Sequence, residues 1–83
     1  METIVINEAI DVGVVFKKGE VFPKWFLWKN RKYEVKKIEF SWKTKEFPEE
    51  KLFFALSTAN GNIFEISFNL KTLLWNLEKS TSN

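Results

Sequence analysis

The sequence predicts an all-β domain, a small five- or six-stranded antiparallel barrel or roll of the SH3-like kind. Apolar residues alternate with polar ones in several short runs, and turn residues separate these runs at intervals of roughly ten residues. The chain has 83 residues, of which 17% are aromatic, enough to enclose one core. We therefore expect a single domain over 1–83, with an ordered core at about 8–78 and a frayed polar tail at 80–83.

The first strand is predicted at residues 9–17, because every even-numbered residue from Ile10 to Phe16 is apolar. Lys18-Gly19-Glu20 then provides a turn. The next apolar run, 25–28, is too short and too aromatic for a helix. We predict a second strand there.

A hairpin joins this run to a third strand. Lys29-Asn30 supplies the turn, because Asn tolerates a positive φ. A two-residue turn at this point pairs Phe26 with Tyr33. The same register places Trp28 and Val35 on the face that these two rings share.

The apolar positions change parity within the third strand: they are odd up to Val35 and even from Ile38 to Trp42. A one-residue β-bulge near Lys36-Lys37 keeps the apolar side chains inward, Phe40 and Trp42 among them. The alternative is a bent strand that crosses from one sheet of the barrel to the other. Both interpretations predict a kink at this point.

Residues 43–50 are polar and contain Pro48, which predicts a connection. The acids that follow Pro48 also resemble a helix start, and Gly61 resembles a helix end, so a helix over 51–58 is the alternative to a strand. The alternation of apolar residues favours the strand, because a hairpin then explains both this run and the one at 64–68.

Side-chain parity selects the turn of that hairpin. A two-residue loop would set the apolar residues of one strand opposite polar residues of the other. A three-residue loop, Ala59-Asn60-Gly61, sets Phe54 opposite Ile66 and keeps the apolar side chains on one face, with Gly61 left-handed. Alternation from Leu73 to Leu77 predicts the last strand.

The composition argues against catalysis. The chain has no His and no Cys, which removes the commonest general base, the commonest metal ligand and the thiol nucleophiles. Ser41, Ser57, Ser67 and Tyr33 have no His to activate them. The acidic residues are scattered, and the three Gly residues form no phosphate loop. We expect a non-enzymatic protein without a metal, cofactor or catalytic residue.

The first residues are too few and too acidic to form a signal peptide. No apolar run approaches the roughly 18 residues of a membrane span. We expect a cytoplasmic protein that does not enter a membrane.

The net charge of +2 hides an uneven distribution. Residues 17–45 contain ten basic and three acidic residues, a net charge of +7. Residues 1–16 carry a net charge of −3, and residues 46–83 carry −2. The basic character belongs to the segment that holds the second and third strands.

The outward positions of these strands combine aromatic and basic residues. By parity, Trp25 and Leu27 lie opposite the Phe26 face and beside Lys32, Glu34 and Lys36. Lysines bind phosphates and a Trp ring stacks on bases, so the pattern predicts a nucleic-acid face. The candidate residues are Trp25, Leu27, Lys29, Lys32, Lys36 and Lys37.

Two other interpretations stay open. Exposed Trp and Leu side chains also mark protein interfaces, so the alternative function is a protein-interaction or homodimerising module that uses Trp25 and Leu27. Trp25 packed beneath the N-terminal segment would have a structural role. Parity assigns the other Trp residues, Trp28, Trp42 and Trp75, to the core.

The segment from Pro23 to Val35 reads Pro-x-x-Phe-x-Trp-Lys-Asn-Arg-x-Tyr-x-Val. It resembles the motif of a family of small, uncharacterised bacterial domains of unknown function. In that family, Pro-x-x-Phe-x-Trp-Arg-Gly-Arg-x-Tyr-x-Val precedes a Trp, a Gly turn, an aromatic strand and a closing Trp-x-Leu. Asn30 stands where the family has Gly. The later elements occur here in the same order, as Trp42, Gly61, Phe64-Glu65-Ile66 and Trp75-Asn76-Leu77.

The resemblance covers about residues 8–78. The family is also similar to the C-terminal extensions of inactive translesion-polymerase homologues. This likeness implies a nucleic acid or a repair protein as the partner, and it implies no site residue.

Overall fold

The computed structural model describes residues 2–46 and 48–82. Within them, six antiparallel strands form a closed barrel in which each strand pairs with the next and β6 returns to β1. The strands are β1 (Glu2–Lys17), β2 (Glu20–Trp28), β3 (Arg31–Glu46), β4 (Glu49–Thr58), β5 (Ile63–Asn69) and β6 (Trp75–Ser82). The predicted all-β class and small antiparallel barrel are confirmed. This part of the chain contains no helix long and apolar enough to cross a membrane.

The barrel consists of two sheets that share β1 and β3. β1 pairs with β6 as far as Ile10 and with β2 from Asp11 onward. β3 pairs with β2 as far as Glu34 and with β4 from Val35 onward. We call the group formed by the second part of β1, β2 and the first part of β3 the three-stranded sheet. The remaining parts of β1 and β3, with β4, β5 and β6, form the five-stranded sheet.

The core lies between the two sheets. Phe26 of the three-stranded sheet and Leu56, Ile66 and Leu77 of the five-stranded sheet are fully buried. The Phe26 ring stacks on Tyr33 at a centroid distance of 4.9 Å. Each such side chain stabilises the fold by roughly 1.5–3 kcal/mol through burial. Since Phe26 anchors β2 from inside, its two neighbours in the strand must point outward.

Two short turns form where the sequence predicts them. Phe26 pairs with Tyr33 across the Lys29-Asn30 turn, and both turn residues have positive φ, 52° and 61°. Lys17 pairs with Glu20 across Lys18-Gly19. Consecutive positive φ values match the right-handed twist of the flanking strands.

The β4–β5 hairpin is also confirmed, and 51–58 is a strand rather than a helix. Phe54 pairs with Ile66, as the three-residue loop requires. The Thr58 amide donates to the Asn62 carbonyl at 3.1 Å, and Gly61 has φ 84°. The requirement to keep apolar side chains on one face therefore selects this loop.

The predicted kink near Lys36-Lys37 is present as a register shift. A second shift follows between Ile38 and Phe40 and reverses the parity again. Phe40 is 71% exposed, and Trp42 is 40% exposed and stacks on Phe53 outside the barrel. The assignment of Phe40 and Trp42 to the core is wrong, because the second bulge turns them to the outer face.

Several strands extend further than predicted. Residues 2–8 belong to β1 and pair with the end of β6, where Glu2 lies opposite Ser82. Residues 80–82 are therefore strand and not a frayed tail, whereas Asn83 lies outside the described residues. Backbone pairing explains the difference, since the inter-strand hydrogen bonds join N–H and C=O groups that polar and apolar residues have alike.

The polar connection predicted at 43–50 is shorter in the structure. Lys43 pairs with Leu52, and Glu46 pairs with Glu49, so the ladder between β3 and β4 continues through most of this segment. Leu73, expected in the last strand, lies before β6 with φ 61° and is 67% exposed.

Candidate nucleic-acid interface

The outer face of the three-stranded sheet presents the candidate residues of β2. Trp25 lies opposite Gly13 on β1 and Glu34 on β3. Leu27 lies opposite Asp11 and Lys32. Alternation places these side chains on the face opposite Phe26, as the sequence predicts.

Trp25 lies against the backbone of β1. A β-carbon built on Gly13 would overlap the Trp25 indole, so the ring occupies the space that any other residue at position 13 would fill. The side chain is partly buried as a result. An aromatic ring over a strand glycine is a stable cross-strand pair. The glycine therefore holds the indole against the sheet.

Lysine ammonium groups lie near both aromatic rings of this face. The Lys32 Nζ atom is 5.0 Å from the centroid of the Trp25 ring. The Lys24 Nζ atom is 5.8 Å from the centroid of Phe22. Contacts of this kind are worth about 0.5–1 kcal/mol at exposed sites, so they orient the lysines without neutralising them.

A bulge determines where Lys24 lies. The register of β1 and β2 shifts so that Gly13 pairs with Trp25 and the next residue, Val14, pairs with Pro23. Lys24 is left without a partner on β1 and is exposed. Pro23 is buried at the bulge, where a residue without an N–H is best tolerated.

The structure does not bring all six candidate residues together. Trp25, Leu27 and Lys32 share the outer face, and Lys36 is exposed at the bulge where β3 leaves the three-stranded sheet. Lys29 lies in the turn, with its ammonium 5.0 Å from the Trp28 ring centroid. Lys37 belongs to the five-stranded sheet and forms an ion pair with Glu39 at 3.6 Å.

Sequence reasoning missed two residues of this face, Phe22 and Lys24. Phe22 pairs with Val15, so it shares the outer face with Trp25. The bulge inserts one residue between them and breaks the alternation that would have connected them. A glycine at position 13, facing an aromatic strand, was the available signal that a ring covers β1 here.

The lysines of this face are mostly unpaired. Lys32 forms an ion pair with Glu34 at 3.3 Å, with both side chains more than half exposed. No carboxylate lies within ion-pair distance of Lys17, Lys24 or Lys36 among residues 2–46 and 48–82. Lys17, Lys24 and Lys36 therefore keep their charge available to a ligand, whereas the charge of Lys32 is compensated in part by Glu34.

No group of His, Cys, Asp or Glu among the described residues is arranged to hold a metal ion. Comparison with protein-family models, curated proteins and solved structures finds no match to this chain. The resemblance carried by Pro23–Val35 and the SH3-like character of the barrel stay predictions.

Proposed function

We propose that this protein is a non-catalytic binding module that holds single-stranded nucleic acid on the outer face of the three-stranded sheet. One observation carries the proposal: lysine ammonium groups lie over outward aromatic rings, Lys32 over Trp25 and Lys24 over Phe22. A sequence-tolerant nucleic-acid surface requires these two groups together, cations for the phosphates and rings for the bases.

In this proposal the lysines and the Trp25 ring contact different parts of the ligand. Lys24, Lys32 and Lys36 contact phosphates, each releasing a counterion. A base stacks on the outer side of the Trp25 ring and displaces the Lys32 ammonium toward the backbone of the ligand. Because the ring is partly buried, the lysines provide most of the affinity and stacking adds a smaller share.

The absence of His and Cys supports a binding role over a catalytic one. The resemblance to domains attached to inactive polymerase homologues points to the same class of ligand. A cytoplasmic location and a bacterial source belong to the same proposal and rest on the sequence alone.

A salt series tests the proposal. Fluorescence anisotropy of a labelled oligothymidylate is measured against protein concentration between 20 mM and 300 mM salt. About three phosphate contacts give a slope of roughly −2 in a plot of log K against log salt. Failure to bind DNA or RNA single strands at the lowest salt would refute the proposal.

A matched pair of triple variants locates the surface. Substitution of Lys24, Lys32 and Lys36 by Gln is compared with substitution of Lys37, Lys51 and Lys79 by Gln, which removes the same charge from the five-stranded sheet. The first variant should bind about 100-fold more weakly at 0.1 M salt, with a flatter salt slope. The second should keep most of the affinity. Equal losses would show that only net charge matters.

A further inference from the structure

An apolar patch lies outside the barrel where β1, β2 and the turn before β6 meet. Ala9, Leu27 and Leu74 line a shallow depression there, and we call these three residues the leucine patch. Leu74 is 66% exposed and Leu27 is 40% exposed. Contiguous exposed apolar side chains are typical of surfaces that bind another protein.

The turn that carries Leu74 is rigidly built. The Asn69 side-chain oxygen accepts hydrogen bonds from the amides of Lys71 at 2.8 Å and Thr72 at 3.1 Å. The backbone N–H of Asn69 donates to the Leu74 carbonyl at 2.9 Å, and the backbone carbonyl of Asn69 accepts from the Leu73 N–H at 2.8 Å. These bonds hold Leu74 in one position on the surface.

The same turn holds Leu73 in a left-handed conformation, with φ 61°, and leaves its side chain 67% exposed. Leu73 and Leu74 therefore both present apolar side chains to solvent at this turn.

Two opposite charges border the leucine patch. Asp11 and Lys29 line the same depression as Leu27 and Leu74. Neither forms an ion pair within the described part of the chain. Asp11 is the cross-strand partner of Leu27, and Lys29 follows Leu27 by two residues. A two-fold axis that passes between Asp11 and Lys29 sets the acid of each copy against the base of the other, so this surface is complementary to a second copy of itself.

We infer that two copies of this chain associate through the leucine patch about a two-fold axis. The Asp11 carboxylate of one copy then meets the Lys29 ammonium of the other, and the Leu27 and Leu74 side chains of both copies form the apolar centre. Trp25 is not part of this interface, since it does not line the depression. The inference does not depend on nucleic-acid binding and is measured without any nucleic acid.

Sedimentation velocity over a range of protein concentrations tests the association. Leu74→Asp should raise the dissociation constant of the dimer about ten-fold or more, because it places a charge in the apolar centre. Val5→Asp is the control, since Val5 is 79% exposed on the five-stranded sheet and should leave the constant unchanged. A wild-type protein that stays monomeric at every concentration overturns the inference, as does an equal effect of both variants.

A charge exchange tests the geometry. Asp11→Lys and Lys29→Glu should each weaken self-association, because each creates two like-charged contacts across the axis. An equimolar mixture of these two variants should form a heterodimer at least as stable as the wild-type dimer, since both contacts are then opposite in sign. Charge effects within one chain do not produce this recovery. A mixture that associates no better than its components overturns the proposed arrangement.

Discussion

The lysine side chains of the two sheets make different contacts. Of the five ion pairs among the described residues, four lie on the five-stranded sheet, with N–O distances of 3.2–3.8 Å. The aromatic pair outside that sheet, Trp42 and Phe53, stacks ring on ring at 5.4 Å. On the three-stranded sheet, Lys24 and Lys32 lie over the rings of Phe22 and Trp25, and Lys32 also forms the fifth ion pair, with Glu34.

This difference shows that the number of lysines is a poor guide to a binding surface. A lysine beside a carboxylate has its charge compensated within the protein. A lysine that has only a ring beside it, such as Lys24, keeps its full charge, because the ring is neutral and offers only a weak attraction. Lys32 has both a ring and a carboxylate beside it. The +7 segment is divided between both situations, so the tertiary structure selects which of its lysines can serve a ligand.

The largest expected effect is the difference in the free energy of unfolding between a substitution inside the three-stranded sheet and one outside the five-stranded sheet. Phe26→Ala removes a fully buried ring of the three-stranded sheet and should lower the free energy of unfolding by about 3–5 kcal/mol. Phe40→Ala removes an exposed ring of the five-stranded sheet and should change it by no more than about 0.5 kcal/mol. Urea denaturation measures both. Similar losses would place Phe40 in the core and contradict the second bulge.

A smaller effect on the free energy of unfolding is expected where the Trp25 indole packs on Gly13. Gly13→Val should destabilise the protein by about 1–3 kcal/mol, because the new side chain must displace the indole. Adding Trp25→Ala should then restore much of that loss, since it makes room for the valine. Urea denaturation of the two single variants and the double variant gives the coupling free energy. Additive effects would show that the indole does not rely on Gly13.

The smallest effect compares the two kinds of lysine contact. A double-mutant cycle on Lys79 and Glu65, 3.7 Å apart, should give a coupling of about 0.2–1 kcal/mol. Salt at 1 M should remove most of it. A parallel cycle on Lys32 and Trp25 should give about 0.5–1 kcal/mol. The absence of coupling between Lys32 and Trp25 would remove the distinction between the sheets.

Much of the fold depends on residues that are close together in the chain, and the sequence therefore predicts it. The positive-φ residues at Lys29-Asn30 and the three-residue loop ending at Gly61 follow from turn chemistry and parity over a few residues. The kink near Lys36-Lys37 follows from a change of parity on its two sides. In each case, one hydrophobic pattern admits one register.

The second bulge was not predictable in the same way. Ile38, Phe40 and Trp42 alternate regularly with polar residues. No nearby residue therefore indicates that the strand turns its apolar face outward between Ile38 and Phe40. The candidate interface shares this limit, because the bulge opposite Gly13 moves Lys24 and Phe22 beside Trp25. Lys29 and Lys37 are near Lys32 in the chain, but the turn and the strand crossing place them on other surfaces.

The sequence by itself determined the all-β class, the turns, the paired strands of the hairpins and the basic character of the segment from 17 to 45. These depend on alternation, on turn residues and on charge, all of which act over short stretches of chain. Only the tertiary structure decided the closure of β6 on β1, the division of β1 and β3 between two sheets, and which lysines find a carboxylate. These depend on contacts between residues far apart in the chain, which alternation along one strand does not specify.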